Sequence, residues 1–257
     1  MRKIRLGILG CGTIGKGVAE FVRKNKDMKN RIEIRCLYDK RKREPLTLKS
    51  SLGLEAEICS SVEELINKCD CILETASQAA AERLVRLSWS KKKKLIIVSS
   101  GVFLRKPKLA RQIQNSLLTV YVPSGAVAGI DGVKAHALGG IKSMEIITSK
   151  PPSGLAGGTS GVIFEGSASE AVKLFPHNIN VASTLELASK FSKIRVKIRV
   201  SPRLKANLHY IKLTSHMGRL KVKVENAPSP NPRTSRLAIF SVISLLESMV
   251  SALKVGS

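Results

Sequence analysis

The chain has 257 residues, of which 25% are charged and 43% hydrophobic, and its formal net charge at pH 7 is +25. This length is enough for one large or two modest domains with a hydrophobic core. Its apolar runs are far shorter than the roughly 20 residues of a membrane-spanning helix. The basic start is followed by a glycine-interrupted stretch instead of a signal-peptide core. Composition therefore predicts a cytoplasmic protein without membrane association.

The excess of Lys and Arg extends over both halves of the chain. A nucleic-acid-binding tail would concentrate this charge, and the basic runs at 40–43 and 91–94 lack interleaved aromatic side chains for base stacking. The charge predicts general attraction of polyanions, and of anionic substrates and cofactors, but no specific nucleic-acid site.

The cysteines are odd in number and lack the paired spacing of a metal site. They predict buried, reduced thiols and no bound metal. The five are Cys11, Cys36, Cys59, Cys69 and Cys71.

A glycine-rich turn near the N-terminus is the most informative motif. An apolar run at 4–9 predicts a short buried strand, and an amphipathic segment with Ile14, Val18, Phe21 and Val22 on one face predicts a helix after the turn. Glycines in this spacing permit the turn, the close approach of a pyrophosphate and helix–strand packing. The helix N-terminus then offers N–H groups to phosphates. The predicted cofactor-binding residues here are Gly10, Gly12, Thr13, Ile14 and Gly15.

The next predicted strand, 32–37, leads to Asp39. An acidic residue here accepts hydrogen bonds from an adenosine ribose and favours NAD. Lys40 and Arg41 follow directly and are suited to a 2′-phosphate, so the cofactor is predicted to be NAD or NADP. A solvated corner of charged residues is the structural alternative.

Strands and helices alternate up to about residue 122, which predicts a doubly wound parallel sheet of the Rossmann type. Ser77 follows the strand at 71–76, at the edge where such sheets bind ligands, and is a further candidate cofactor contact. The predicted elements are helix 62–68, strand 71–76, helix 79–88, strand 95–99, helix 107–117 and strand 119–122.

The composition changes at Pro123, where a glycine-rich stretch of small side chains predicts a crossover to a second α/β (α+β) domain with a mixed sheet. A segment at 151–161 predicts a mobile loop. Strands at 193–200, 209–215 and 219–224 alternate apolar with basic residues, which predicts one solvated, cationic face. We expect a dinucleotide-binding domain at 1–124, completed by a C-terminal helix within 230–257, and a catalytic and dimerisation domain at 125–229.

Five sequence blocks follow one another in a distinctive order: Pro123–Ala126 with Gly129–Asp131, Val162–Glu170, Phe175–Val181, Asn207–His209 and Asn231–Ser235. Through these blocks the chain resembles the L-aspartate dehydrogenase family over nearly its whole length. The resemblance implies NAD(P)-dependent oxidation of L-aspartate to iminoaspartate for NAD biosynthesis, by a cytoplasmic homodimer. Two departures are His177, where the family usually has lysine, and the unusually basic composition.

Local motifs do not select a catalyst among the four histidines, but the resemblance implies that His209 is the catalytic acid–base. Ala126 and Asn180 match family positions near the nicotinamide. Asn207, two residues before His209, would share its strand face. Two carboxylates of aspartate need cations or hydroxyl and amide donors, so Ser124, Asn207, Thr234 and Ser235 are the candidate substrate-binding residues.

Two alternatives stay open from the residues. One is another two-domain reductase, such as dihydrodipicolinate reductase or homoserine dehydrogenase, although a lysine-based catalytic pattern is not evident. The other is a non-catalytic, basic nucleic-acid-binding or cofactor-sensing protein that kept the fold. The second alternative predicts salt-sensitive nucleic-acid binding without turnover.

Overall fold

A computed structural model describes residues 3–152, 160–175, 180–227, 229, 231 and 234–256. The predicted corner containing His177 and most of the predicted loop at 151–161 lie outside this set. The chain divides into two compact units, Met1–Pro123 with Val242–Leu253, and Ser124–Ser241 with Lys254–Ser257. The final helix spans the division, because its residues from Val242 onward are grouped with the first unit.

The first unit contains a six-stranded sheet in the order β3-β2-β1-β4-β5-β6, in which every pair of neighbours is parallel. This confirms the predicted Rossmann sheet. Its strands are β1 (Ile4–Leu9), β2 (Ile32–Tyr38), β3 (Glu57–Ile58), β4 (Cys71–Glu74), β5 (Lys94–Ile97) and β6 (Thr119–Tyr121). Its helices are α1 (Thr13–Lys24), α2 (Lys26–Arg31), α3 (Arg43–Leu52), α4 (Val62–Lys68), α5 (Gln78–Ser88), α6 (Gly101–Arg105) and α7 (Pro107–Ile113).

The core of the first unit consists of the apolar residues of the central strands. Leu6, Ile8, Leu37, Ile72 and Leu73 are fully buried, and each such side chain contributes about 1.5–3 kcal/mol through its removal from water. Near-continuous burial of this kind is typical of parallel strands covered on both faces. The thiols of all five cysteines are free and buried, as the sequence predicts.

Several details of the first unit differ from the sequence prediction, and the strands predicted at 71–76, 95–99 and 119–122 are observed as β4, β5 and β6 with the bounds given above. Helix α1 buries Gly15, Val18, Ala19 and Val22, whereas Ile14 and Phe21 are only half-buried. The predicted helix 107–117 is shorter, because α7 ends at Ile113. A separate short helix, α6, precedes it.

The second unit contains a mixed five-stranded sheet in the order β11-β10-β7-β9-β8, as predicted. Strand β7 pairs in parallel with β9, and the other pairs are antiparallel. Its strands are β7 (Ile141–Lys150), β8 (Gly161–Ser167), β9 (Arg195–Val200), β10 (Asn207–Ser215) and β11 (Gly218–Asn226). Its helices are α8 (Ile130–Leu138), α9 (Ala168–Leu174) and α10 (Asn180–Ser189), and α11 (Arg236–Val250) crosses into the first unit.

One face of this sheet is apolar and the other charged. Ile146, Val196, Ile198, Ile211 and Leu213 are buried. Ion pairs join neighbouring strands on the opposite face, from Lys197 to Glu165 at 2.8 Å, and from Lys212 to Glu145 at 3.5 Å. Buried and more exposed positions alternate along β9 and β10, as the period of two in the sequence predicts. No helix in the described ranges is long and apolar enough to span a membrane.

Candidate active site

The glycine turn lies at the carboxyl end of β1, beside the point where the strand order reverses between β1 and β4. The Gly10 N–H donates to the Tyr38 carbonyl at 2.8 Å, and the Thr75 hydroxyl donates to the Gly10 carbonyl at 2.7 Å. Gly10 has a φ of +104°, and a Cβ there would approach the Ala76 nitrogen to 2.8 Å. Glycine is therefore required by both the backbone conformation and the neighbouring loop.

Gly12 and Gly15 have opposite surroundings. A Cβ on Gly15 would overlap the carbonyl oxygen of Gly10, whereas a Cβ on Gly12 would meet no atom within 4 Å in the described structure. Gly15 thus packs the helix on the turn, and Gly12 faces open space. The first intrahelical bond runs from Lys16 N–H to the Gly12 carbonyl at 2.8 Å. The N–H groups of Thr13, Ile14 and Gly15 precede it and form the positive end of α1.

Asp39 lies next to this turn, at the carboxyl end of β2. Its Oδ2 accepts from the Cys11 N–H at 2.9 Å, and its Oδ1 accepts from the Arg41 N–H at 2.9 Å. The Asp39 side chain is 10% exposed, while the Arg41 side chain is 67% exposed. Each carboxylate oxygen keeps further acceptor capacity for a ribose hydroxyl. Together with the open space at Gly12, this arrangement fits the phosphates and ribose of a dinucleotide.

Ser77 is positioned by a buried carboxylate that the sequence analysis did not single out. Glu74 is completely buried, and its Oε1 accepts from the Ser77 N–H at 2.9 Å and the Ser99 hydroxyl at 2.9 Å. The pKa of Glu74 is raised by burial, although these hydrogen bonds oppose the shift. The Ser77 hydroxyl accepts from the Ala80 N–H at 3.2 Å and caps α5. Glu74 thereby joins the loops that follow β4 and β5 at the ligand edge of the sheet.

His209 lies on β10 in the second unit, on the buried face of the sheet, and is 3% exposed. It is opposite Thr148 of β7 in the strand register, and its Nδ1 is 3.0 Å from the Thr148 hydroxyl oxygen. Burial, and secondly the positive charge of Lys150, lower the pKa of His209 from 6.5 to about 3. A free imidazole titrates near neutral pH, whereas burial keeps the imidazole of His209 neutral there.

Asn207 and Asn226 lie opposite each other in the register of β10 and β11, at the end of the same face. The Asn226 Nδ2 donates to the Ala126 carbonyl at 3.0 Å. The buried Oδ1 atoms of both asparagines have no hydrogen-bond partner within the described residues. The structure therefore brings Asn207, His209 and Ala126 into one region, through an asparagine that the sequence analysis missed.

Lys150, the last residue of β7, belongs to the same region. It is 5% exposed, and burial lowers the pKa of its ammonium group from 10.5 to about 8. Its position two residues after Thr148 places it on the Thr148 face of β7. Lys150 and Asn226 are recognised as candidate site residues from the register of β7, β10 and β11. A local sequence motif does not reveal this register.

The remaining predicted residues of the second unit are placed as follows. Ser124 is half-buried at the beginning of this unit, and Asn180 is the first residue of α10. The Ser235 hydroxyl accepts from the Ala238 N–H at 3.2 Å and caps α11, while the Thr234 N–H donates to the Asn231 carbonyl at 2.9 Å. No hydrogen bond in the part of the chain that the structure describes joins Thr234 or Ser235 to His209.

Comparisons with known proteins assign both units. Residues 10–123 match the family model described as homoserine dehydrogenase, NAD binding domain. Residues 131–249 match the model described as aspartate dehydrogenase, C-terminal. The first unit is therefore an NAD(P)-binding domain, and the second distinguishes this chain from other dehydrogenases that share such a domain.

Relatives of full length agree with these matches. The chain is 35% identical to the L-aspartate dehydrogenase of Methanosarcina barkeri over 99% of this chain and 100% of that one. It is 34% identical to the L-aspartate dehydrogenase of Methanocaldococcus jannaschii, with the same coverage. The crystal structure of aspartate dehydrogenase from Thermotoga maritima superposes with a TM-score of 0.80 at 27% identity, over 99% of this chain and 100% of that one.

Proposed function

The chain belongs to the L-aspartate dehydrogenase family, and on that premise we propose that it oxidises L-aspartate to iminoaspartate with NAD or NADP. The observation that carries the proposal is the match of residues 131–249, since this segment contains His209 and the residues around it. A bound nicotinamide would accept the hydride that leaves the substrate α-carbon.

Residues of the first unit would hold the dinucleotide. The N–H groups at the start of α1 face its phosphates, with Gly12 leaving room for them. The Asp39 carboxylate accepts hydrogen bonds from the adenosine ribose. Ser77 stands on the loop that Glu74 holds. In the second unit, Ala126 and Asn180 remain the proposed contacts near the nicotinamide, and the Asn226 amide supports the first of them.

His209 would act as the acid–base at the substrate amino group. Hydride loss from the α-carbon requires an unprotonated amine, so one proton has to leave the substrate ammonium. A base role for Nε2 uses the tautomer in which Nδ1–H donates to the Thr148 hydroxyl, at the observed 3.0 Å. The imidazole is neutral before the substrate binds, because its pKa is about 3. The carboxylates of a bound aspartate would raise that pKa, since negative charge nearby stabilises the imidazolium.

The unsatisfied amide oxygens of Asn207 and Asn226 are suited to the hydrogens of the same amino group. Asn207 and Asn226 lie at the end of β10 and β11 that is close to His209. This location supports the role, because the amino nitrogen that they would bind is also the atom that gives its proton to His209. Ser124, Thr234 and Ser235 remain proposed hydroxyl donors for the carboxylates. For Ser235 the capping bond uses the oxygen as acceptor and leaves its hydrogen to donate.

The direct test is NAD(P)H formation across a panel of amino acids, with nucleic-acid binding measured in parallel. We expect turnover of L-aspartate and none of L-homoserine. Turnover of another amino acid in preference to aspartate would favour another reductase of this build. Salt-sensitive nucleic-acid binding without any turnover would favour the non-catalytic, nucleic-acid-binding alternative.

We further propose that the enzyme is a cytoplasmic homodimer that feeds NAD biosynthesis and has no specific nucleic-acid partner. The second unit exposes Leu138 and Met217, which are 94% and 66% exposed and suit burial against a second copy. Light scattering after size exclusion measures the mass directly, and a monomer at micromolar concentration would contradict the dimer.

A further inference from the structure

The buried face of the second sheet carries a cation beside the proposed catalytic histidine. His209 is paired with Thr148, and Leu208 with Ser149, in the antiparallel register of β10 and β7. The next step of this register brings Asn207 level with Lys150. Because side chains alternate between the two faces, Thr148, Lys150, Asn207 and His209 all point to the same side. The Thr148–His209 contact of 3.0 Å confirms that side for one of the pairs.

Lys150 is a buried lysine. It is 5% exposed, whereas the other lysine of the same strand, Lys142, is exposed. Lysine is seldom buried to this extent, because its ammonium group loses hydration. The positive charge of Lys150 also acts on His209, because after burial it is the second cause of the lowered pKa of that histidine.

We propose that the Lys150 ammonium group binds a carboxylate of the substrate. The inference rests on the proposed function, which requires a dicarboxylic amino acid at His209. A carboxylate bound where water is excluded attracts an ammonium group much more strongly than one at the surface. The pairing leaves the substrate's amino group to the asparagine oxygens and His209. Two kinds of group on one sheet face thus recognise the two kinds of charge on aspartate.

The same pairing links binding to the acid–base chemistry. Without substrate, the positive charge of Lys150 opposes protonation of His209. A bound carboxylate neutralises that charge, so His209 becomes a stronger base when the substrate is in place. Lys150 therefore contributes first to affinity and secondly to the basicity of its neighbour.

The test compares Lys150→Met, which keeps the length of the side chain and removes its charge, with Lys142→Met on the exposed part of the same strand. KM and kcat for L-aspartate are measured together with the dissociation constant of succinate, a dicarboxylate without an amino group. For Lys150→Met we expect KM and the succinate constant to rise roughly 10- to 150-fold, the range for one charge-assisted hydrogen bond. Cofactor affinity is expected to stay unchanged, and Lys150→Arg should restore part of the succinate affinity.

Unchanged KM and succinate binding in Lys150→Met would overturn the proposal, as would an equal loss in Lys142→Met. Lys150→Gln supplies the same comparison if the methionine variant does not fold, which circular dichroism and cofactor binding reveal. Succinate binding needs no turnover. A wild-type enzyme inactive on aspartate would therefore contradict the proposed function, whereas an active one with unaltered variants would contradict the role of Lys150 alone.

Discussion

At the residue scale, the proposed acid–base is His209, which among the described histidines shares a sheet face with a buried lysine and with two asparagines whose Oδ1 atoms are buried. His209→Ala is expected to lower kcat roughly 10²- to 10⁴-fold, the range for loss of a general acid–base. Cofactor affinity should remain nearly unchanged, since the dinucleotide contacts of the first unit are untouched. Steady-state kinetics and cofactor titration measure the two effects.

His216→Ala is the matched control, because His216 lies exposed in the turn between β10 and β11. It should leave kcat unchanged. A mild effect of His209→Ala combined with a loss of turnover in His177→Ala would show that the acid–base has been assigned to the wrong histidine.

Burial of His209 also predicts a pH dependence of stability. Its pKa is about 3 in the folded protein and 6.5 without the fold. Between these values the unfolded chain binds more protons, so the free energy of unfolding falls as pH decreases from about 6.5 towards 3. His209→Leu removes this contribution. Urea unfolding of both proteins across this range should show a smaller loss for the variant, and parallel curves would contradict the burial of a neutral imidazole.

At the scale of elements, the turn between β1 and α1 predicts different outcomes for two of its glycines. Gly12→Val should retain the fold, because a Cβ there meets open space in the described structure. It should abolish cofactor binding, because the side chain would fill the space proposed for the pyrophosphate. Gly15→Ala should impair folding as well, since its Cβ would overlap the Gly10 carbonyl oxygen. Cofactor titration and thermal unfolding separate the two. Unaltered NAD affinity in Gly12→Val would contradict binding of the dinucleotide at this turn.

The corner after β2 is the proposed determinant of cofactor choice. In the proposed complex the Asp39 carboxylate would bind the ribose and would repel a 2′-phosphate. The exposed guanidinium of Arg41 lies 3.6 Å from the Asp39 Oδ1. A charge-assisted hydrogen bond is worth roughly 1.5–3 kcal/mol, enough for Arg41 to offset that repulsion. We expect specificity constants for NAD and NADP within about a hundredfold of each other, a gap below ~3 kcal/mol.

Arg41→Ala should weaken NADP selectively, and added salt should weaken NADP more than NAD. Lys26→Ala, an exposed charge on α2, controls for the general positive field. Kinetics with both cofactors at two ionic strengths supply the comparison. Absolute NAD specificity without a salt effect would mean that the basic run only faces solvent.

Elements with strong periodicity could be predicted from the sequence. The strand Ile4–Leu9 was predicted with the same bounds, because a short apolar run ends at a glycine turn. The sequence pattern does not predict helix α8, since Val133 is its single buried residue and Gly132 interrupts the pattern. Helix α3 was missed because a basic run precedes it and Pro45 interrupts its pattern.

The site could be predicted only in part. The glycine turn and Asp39 follow from local chemistry, and His209 follows from the family resemblance. Lys150 and Asn226 become candidates only when the register of β7, β10 and β11 is known, because residues far apart in sequence then share one face. Burial likewise changes the chemistry of His209 in a way that its sequence neighbours do not reveal.

At the scale of the whole molecule, the net charge of +25 is compatible with an enzyme of anionic ligands. Part of this charge is paired on the outer face of the second sheet, where Glu165 contacts both Arg195 and Lys197. The remaining field attracts dicarboxylates and dinucleotides over distances of about the Debye length, ~8 Å at physiological salt. The charge is therefore expected to act on association, while the proposed determinants of which substrate reacts are the buried groups of the second unit.

The most direct test of the account uses L-aspartate deuterated at the α-carbon, with oxidised cofactor and the wild-type protein. Nuclear magnetic resonance of the reduced cofactor reports where the deuterium goes. Hydride transfer from the α-carbon predicts one deuterium at nicotinamide C4 for each aspartate oxidised, and about a hundredth of that amount or less after His209→Ala within the same time. Release of the deuterium to water, or no reduced cofactor from aspartate, would contradict the assignment of this chain as an aspartate-oxidising dehydrogenase.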